Sequence, residues 1–105
     1  MRAFVKHPLV DPDVEEAALW YRRWDTAIAL RFVDEVRFAM RAANEGPLRF
    51  TVRFADVRRV RLRRFPHSVF FRIRGDAVLV LAVLHGAREV ERLIGTRTLP
   101  DTKRG

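Results

Sequence analysis

The side chains of this chain that could do chemistry are three histidines, two carboxylate pairs, one isolated serine and a dense run of arginines. His7, His67 and His85 fall in different segments, with no H-x-H or H-x-x-x-H spacing, so a zinc site lacks ligands at recognisable intervals. There is no cysteine, which excludes disulfides and thiolate metal sites. Glu15-Glu16 and Asp34-Glu35 sit in helical segments beside arginines, where a solvated helix face explains them better than acid–base work. Ser68 has no G-x-S-x-G setting, and five scattered glycines form no phosphate loop. What remains is metal-free chemistry, in which arginines stabilise charge and a histidine moves protons. Arg61, Arg63, His67, His85 and Arg88 are the residues that could form such a set, and no cofactor is implied. His85 ends an apolar run just before Gly86, a place that often lines a site, although a purely structural histidine is at least as common there.

The arginines pose a separate question. Residues 58–74 read RRVRLRRFPHSVFFRIR, in which seven of seventeen are arginine. Net charge is +8, yet residues 1–48 carry seven Lys/Arg against eight Asp/Glu, and residues 49–105 carry fourteen against five. The basic excess therefore belongs to the second half, and it implies an acidic or polyanionic partner. Basic residues interleaved with aromatics bind phosphates and stack bases in several modules, but no helix-turn-helix, zinc-finger or RNP-type motif accompanies them. An arginine-lined sheet face equally suits an acidic, amphipathic protein segment. The plainest alternative is an exposed strand protected from edge pairing by charge. The residues alone rank these as protein partner, nucleic acid, then plain strand, with little between them.

Local periodicity says what must position these groups. Residues 2–6 form a short β-type run. Asp11 followed by Pro12, with Asp13, Glu15 and Glu16 close behind, predicts a helix capped by Asp11. Its inward stripe is Val14, Ala17, Ala18, Tyr21 and Trp24, with Trp20 at the edge. Asp25-Thr26 predicts a break and a new cap. A second helix then runs from about residue 27 to 44, burying Ile28 or Ala29, Phe32, Val33, Val36, Met40 and Ala43. Asn44-Glu45-Gly46-Pro47 ends it as left-handed-tolerant residues and proline do. So short a link forces an antiparallel helix hairpin. After a connector over 48–56 the period becomes two. Val60 and Leu62 face one way, and Arg59, Arg61 and Arg63 the other.

Beyond Pro66, Val69, Phe71 and Ile73 oppose Ser68, Phe70, Arg72 and Arg74, and Gly75-Asp76 supplies a hairpin turn into the apolar run 77–84. That turn pairs Ile73 with Val78, Phe71 with Val80 and Val69 with Ala82. The face carrying Phe70, Leu79, Leu81 and Val83 with the arginines then needs a partner of its own. Residues 88–94 read as one or two helical turns, 1–98 as one α+β domain, and 99–105 as a flexible tail. No apolar run reaches the length of a secretory or spanning segment, so a soluble, cytoplasmic protein without membrane attachment is expected.

Strand, helix hairpin and an antiparallel three-stranded meander ending in a histidine turn resemble the RelE/ParE toxin superfamily of bacterial toxin–antitoxin modules. The resemblance rests on ALWYRRW at 18–24, ALRFVDEVRFAMRAANEGPLRF at 29–50, VRRVRLRRFPHSVFFRI at 57–73 and VLVLAVLHGARE at 78–89, and is closest to the ParE branch. It implies a helix hairpin packed on one face of a small, mainly antiparallel sheet. It also implies the toxin of a type II (plasmid stabilisation) module, neutralised by a ParD-like antitoxin and acting on DNA gyrase. The RelE branch implies instead a ribosome-dependent messenger RNA endonuclease, for which Arg61, His85 and Arg88 would be catalytic.

That branch usually opens the second meander strand with an arginine, where this chain has Ser68. Its one tyrosine, Tyr21, lies far from the C-terminus. A family-like binding module without toxicity is the third reading. For docking of antitoxin or target, the residues implied are Arg59, Arg61, Arg63, Phe70, Arg72, Arg74, Leu81 and Arg88.

Overall fold

The first helix begins before its aspartates, with Leu9 at its N-cap and no side chain capping it. In a computed structural model that describes residues 3–86 and 90–97, strand β1 (Ala3–Lys6) runs into His7, and α1 spans Val10–Arg22. The Leu9 N–H donates to His7 Nδ1 at 3.0 Å and the Val10 N–H to the His7 carbonyl at 3.0 Å. The expected Asp11 cap is therefore corrected: Asp11 lies inside the first turn and accepts from Lys6 Nζ at 3.0 Å. Pro12 also lies in that turn, where a missing N–H leaves no bond unmade.

Asp25 does cap α2 (Thr26–Glu45), accepting from the Ala27 N–H at 2.8 Å. Phe32, Val36, Ala39 and Ala43 form its buried stripe, against which Val14, Ala17, Ala18 and Tyr21 of α1 pack. Trp24 does not join them. It follows the end of α1 and is 71% exposed, which corrects the inward placement expected for it. Gly46 ends α2 with φ −148, an extended conformation where a left-handed one was expected, and Pro47–Arg49 adds a 3₁₀ turn.

Among the described residues the sheet holds five strands in the order β1-β5-β4-β3-β2. Beyond the expected meander of β3 (Val57–Arg61), β4 (His67–Arg74) and β5 (Ala77–His85), the connector contributes a short antiparallel edge strand, β2 (Val52–Phe54). At the other edge β1 runs parallel to β5, from Ala3 opposite Ala77 to Lys6 opposite Val80. Gly75, with φ +60, takes the first central position of the β4–β5 turn, the left-handed region such two-residue turns require.

Register holds for Ile73–Val78 and Phe71–Val80, then slips. Phe70 lies opposite Ala82 and Val69 opposite Val83, so Leu81 is an extra residue in β5. This β-bulge overturns the expected Val69–Ala82 pair and reverses Val83, which joins the core under the helices.

Each face of the sheet has its own core. On the helix side Phe32, Phe65, Val69, Phe71, Val78 and Val80 are buried together. On the other side Val57, Phe70, Leu79, Leu81 and Ala82 lie beneath Val90 and Ile94 of a short helix, α3 (Val90–Gly95). Side chains of this size contribute roughly 1.5–3 kcal/mol each when fully buried, so both layers matter to stability. Among the described residues no helix is long and apolar enough to cross a membrane. Arg88 and the tail over 99–105 lie outside the described residues.

Candidate functional site

The fold divides the residues singled out by sequence into three groups. Arg59 and Arg61 lie on β3, opposite Phe70 and Ser68 of β4, and project to the face away from the helix hairpin. Arg59 is half-buried there. Burial, and then the neighbouring charges of Arg53 and Arg61, lower its guanidinium pKa from the usual value. Among the described residues neither Arg59 nor Arg61 has a carboxylate partner, so this corner holds concentrated positive charge without an internal counter-ion. Arg74, exposed at the end of β4, extends the basic surface. Arg72 is already engaged, its Nε donating to Asp56 Oδ1 at 3.0 Å.

Phe70 and Leu81 are on the same side of the sheet but not on its surface. They are 2% and 1% exposed beneath α3, so a partner reaches them only where α3 gives way. Arg63 is elsewhere. After Arg61 the chain leaves the strand, and the guanidinium of Arg63 lies over the Phe38 ring of α2, 5.9 Å from its centroid. Glu35 fixes that loop, its Oε1 accepting from the N–H groups of Arg63 and Arg64 at 2.9 and 3.2 Å. A cleft of about 490 Å³ opens between this loop and α2, lined by Arg31, Asp34, Phe38, Arg61, Arg63 and Arg64.

The third group surrounds the histidines. His67 opens β4 directly opposite His85 at the end of β5, with ring centroids 5.2 Å apart. The His67 ring also packs edge-on against Phe32 (4.9 Å) and Tyr21 (6.0 Å). Burial first, and then the neighbouring His85, lower its pKa from the ordinary 6.5 to about 4, so His67 is neutral at physiological pH. Its Nδ1 is buried without a hydrogen-bond partner among the described residues. A cleft of about 470 Å³ adjoins the pair, with Glu16, Trp20 and Tyr21 of α1 as its far wall.

Of the ribonuclease set, Arg61 and His85 stand at opposite edges of β4, paired with the adjacent residues Ser68 and His67. Arg88 is outside the described residues, and Ser68 is itself buried. Among the described residues no three His, Asp or Glu side chains gather closely enough to hold a metal ion.

Sequence reasoning misses two residues that organise this end of the sheet. In the sequence Asp13 is one more carboxylate in a helix first turn, and Arg97 is one more arginine near the C-terminus. In the fold the two form a buried ion pair over the bulge of β5. Nothing local signals a contact between residues 84 positions apart.

Comparison with solved structures finds the same architecture in "Chromosomal ParDE TA system from P. aeruginosa". The two share 19% sequence identity with a TM-score of 0.72, over 83% of this chain and 98% of that one. No curated protein matches the sequence. The model of the family described as "ParE toxin of type II toxin-antitoxin system, parDE" matches residues 5–90. That match runs from within β1, through both long helices and strands β2 to β5, to the first residue of α3, and the chain belongs to the ParE toxin family.

Proposed function

We propose that this chain is a toxin held inactive by a ParD-type antitoxin, whose acidic segment docks on the basic sheet face around Arg59 and Arg61, and that its target is DNA gyrase. The observation that carries the docking surface is the cluster of Arg53, Arg59 and Arg61, whose mutual repulsion is relieved by no internal carboxylate among the described residues. A segment bringing carboxylates to this corner removes that repulsion and gains charge-assisted hydrogen bonds. Arg74 lengthens the footprint. Family membership supports the antitoxin partner, as does the likeness in fold to a protein of a ParDE system.

The gyrase target rests on the ParE branch. Ser68 at the start of β4 is buried and supplies no cation where the ribonuclease branch carries one, which favours gyrase over messenger RNA. Purified chain should inhibit gyrase supercoiling or trap cleaved DNA, and equimolar antitoxin should relieve the effect. An unchanged supercoiling rate at high toxin excess, together with ribosome-dependent messenger RNA cleavage, would transfer the assignment to the ribonuclease branch.

A further inference from the structure

The cleft between α1 and the histidine pair opposes the charge of the molecule around it. The chain carries a net +8, yet among the described residues this cleft is lined by two carboxylates and by no arginine or lysine. The two carboxylates are not equivalent. Asp13 is committed to Arg97 and to the backbone of β5, whereas Glu16 is exposed and has no ion pair among the described residues. Beside Glu16 the walls are aromatic. Trp20 is 52% exposed, meets Tyr21 edge-on at 5.3 Å, and has the exposed Trp24 ring 6.0 Å away. His67, nine-tenths buried in the floor, keeps an Nδ1 unpartnered among the described residues and carries no charge to oppose a cation.

At about 470 Å³ the space fits one side chain or one base. A free carboxylate next to open aromatic faces suits a planar cation that can stack and donate two parallel hydrogen bonds at once. Arginine meets that description; the lysine ammonium is a compact, strongly hydrated point charge and does not stack. A nucleotide base would stack equally well, but it offers Glu16 no charge-assisted pair, and its phosphate would be brought towards that uncompensated carboxylate.

We propose that this cleft receives the guanidinium of an arginine presented by a protein partner, stacked on Trp20 and paired with Glu16. The site is separate from the basic sheet face and of opposite sign. It therefore stands or falls independently of the toxin assignment.

The Trp24→Phe variant leaves Trp20 as the single indole, so its fluorescence reports on the cleft. N-acetyl-arginine amide, N-acetyl-lysine amide and guanosine monophosphate are titrated at constant ionic strength, with circular dichroism verifying the fold of each variant. The expected result is saturable quenching by the arginine probe, weaker for lysine, and reduced roughly tenfold when Glu16→Gln is added, the loss of one charge-assisted pair. Absence of saturable quenching by the arginine probe overturns the proposal. So does an equal response in the Glu16→Gln background, or tighter binding of the lysine probe or the nucleotide.

Discussion

Asp13 and Arg97 close the open end of the sheet. Arg97 Nη1 and Nη2 donate to the two carboxylate oxygens of Asp13 at 2.8 and 2.9 Å, with the side chains only 9% and 12% exposed. Past the end of β1, this edge of β5 has no neighbouring strand among the described residues, and the bulge at Leu81 lies there. The pair supplies what the missing strand would. Arg97 also donates to the Leu81 carbonyl at 2.9 Å, and Asp13 accepts from the Val83 N–H at 2.9 Å. Helix α1, the bulge and the segment after α3 are thereby joined. Removing one member leaves a buried charge and an unmet backbone group, so Arg97→Ala should cost about 3 kcal/mol. Urea unfolding measures this. A double-mutant cycle with Asp13→Asn should show the two losses far from additive, whereas additive losses would mean that the pair does not act as a unit.

The His67 environment predicts a pH dependence of stability. Its folded pKa of about 4 lies below the ordinary 6.5 of the unfolded chain. Between these values the unfolded chain binds a proton that the folded chain refuses, so stability falls as pH drops from about 7 to about 4. It then levels off for this group, with a total loss of roughly 3–3.5 kcal/mol at most. Denaturant midpoints compared across that range should show the stability of the wild type falling relative to that of His67→Phe as pH drops. Parallel curves would show that His67 titrates normally in the folded state.

Phe32 provides a structural handle on the same group. It is fully buried, with its ring 4.9 Å from that of His67 and 5.2 Å from that of Phe65. Phe32→Ala should destabilise the chain by roughly 3–5 kcal/mol through the cavity it leaves. In protein that still folds, water entering that space should raise the His67 pKa towards 6.5, followed by the NMR titration of its ring protons. An unmoved titration would assign the depressed pKa to His85 alone.

What is legible in the sequence follows from how local each signal is. The helix hairpin rests on a 3.6-residue period and the Asp25 cap, both readable within a few positions, and both are present. The β4–β5 hairpin is legible from Gly75-Asp76 and two flanking apolar runs. The bulge is not: β5 has no polar residue between Ala77 and Leu84 to mark which face each side chain takes, so an extra residue leaves no trace. Strand β2 is three residues long, too short for an alternation to register. Trp24 fits the helical period but lies beyond the end of α1, and a period says nothing about where a helix stops. The arginines of 58–74 resemble one patch because they are adjacent in sequence. The loop after Arg61 sends Arg63 to Phe38, Asp56 engages Arg72, and Arg59 with Arg61 are left as the basic corner.

That division yields the sharpest test of the docking surface. If an acidic antitoxin segment binds the basic corner, charge reversal at Arg59 or Arg61 places a carboxylate against carboxylates. Each reversal should weaken the toxin–antitoxin complex by at least roughly tenfold, with a shallower salt dependence. Arg72→Gln removes a cation whose charge Asp56 already balances, and Arg63→Gln one that faces α2 instead, so both should change affinity by less than about threefold. Calorimetric titration of the antitoxin into each variant at two ionic strengths separates the groups. Equal losses at all four positions would indicate a diffuse field over the second half of the chain, in place of a docking corner at Arg59 and Arg61.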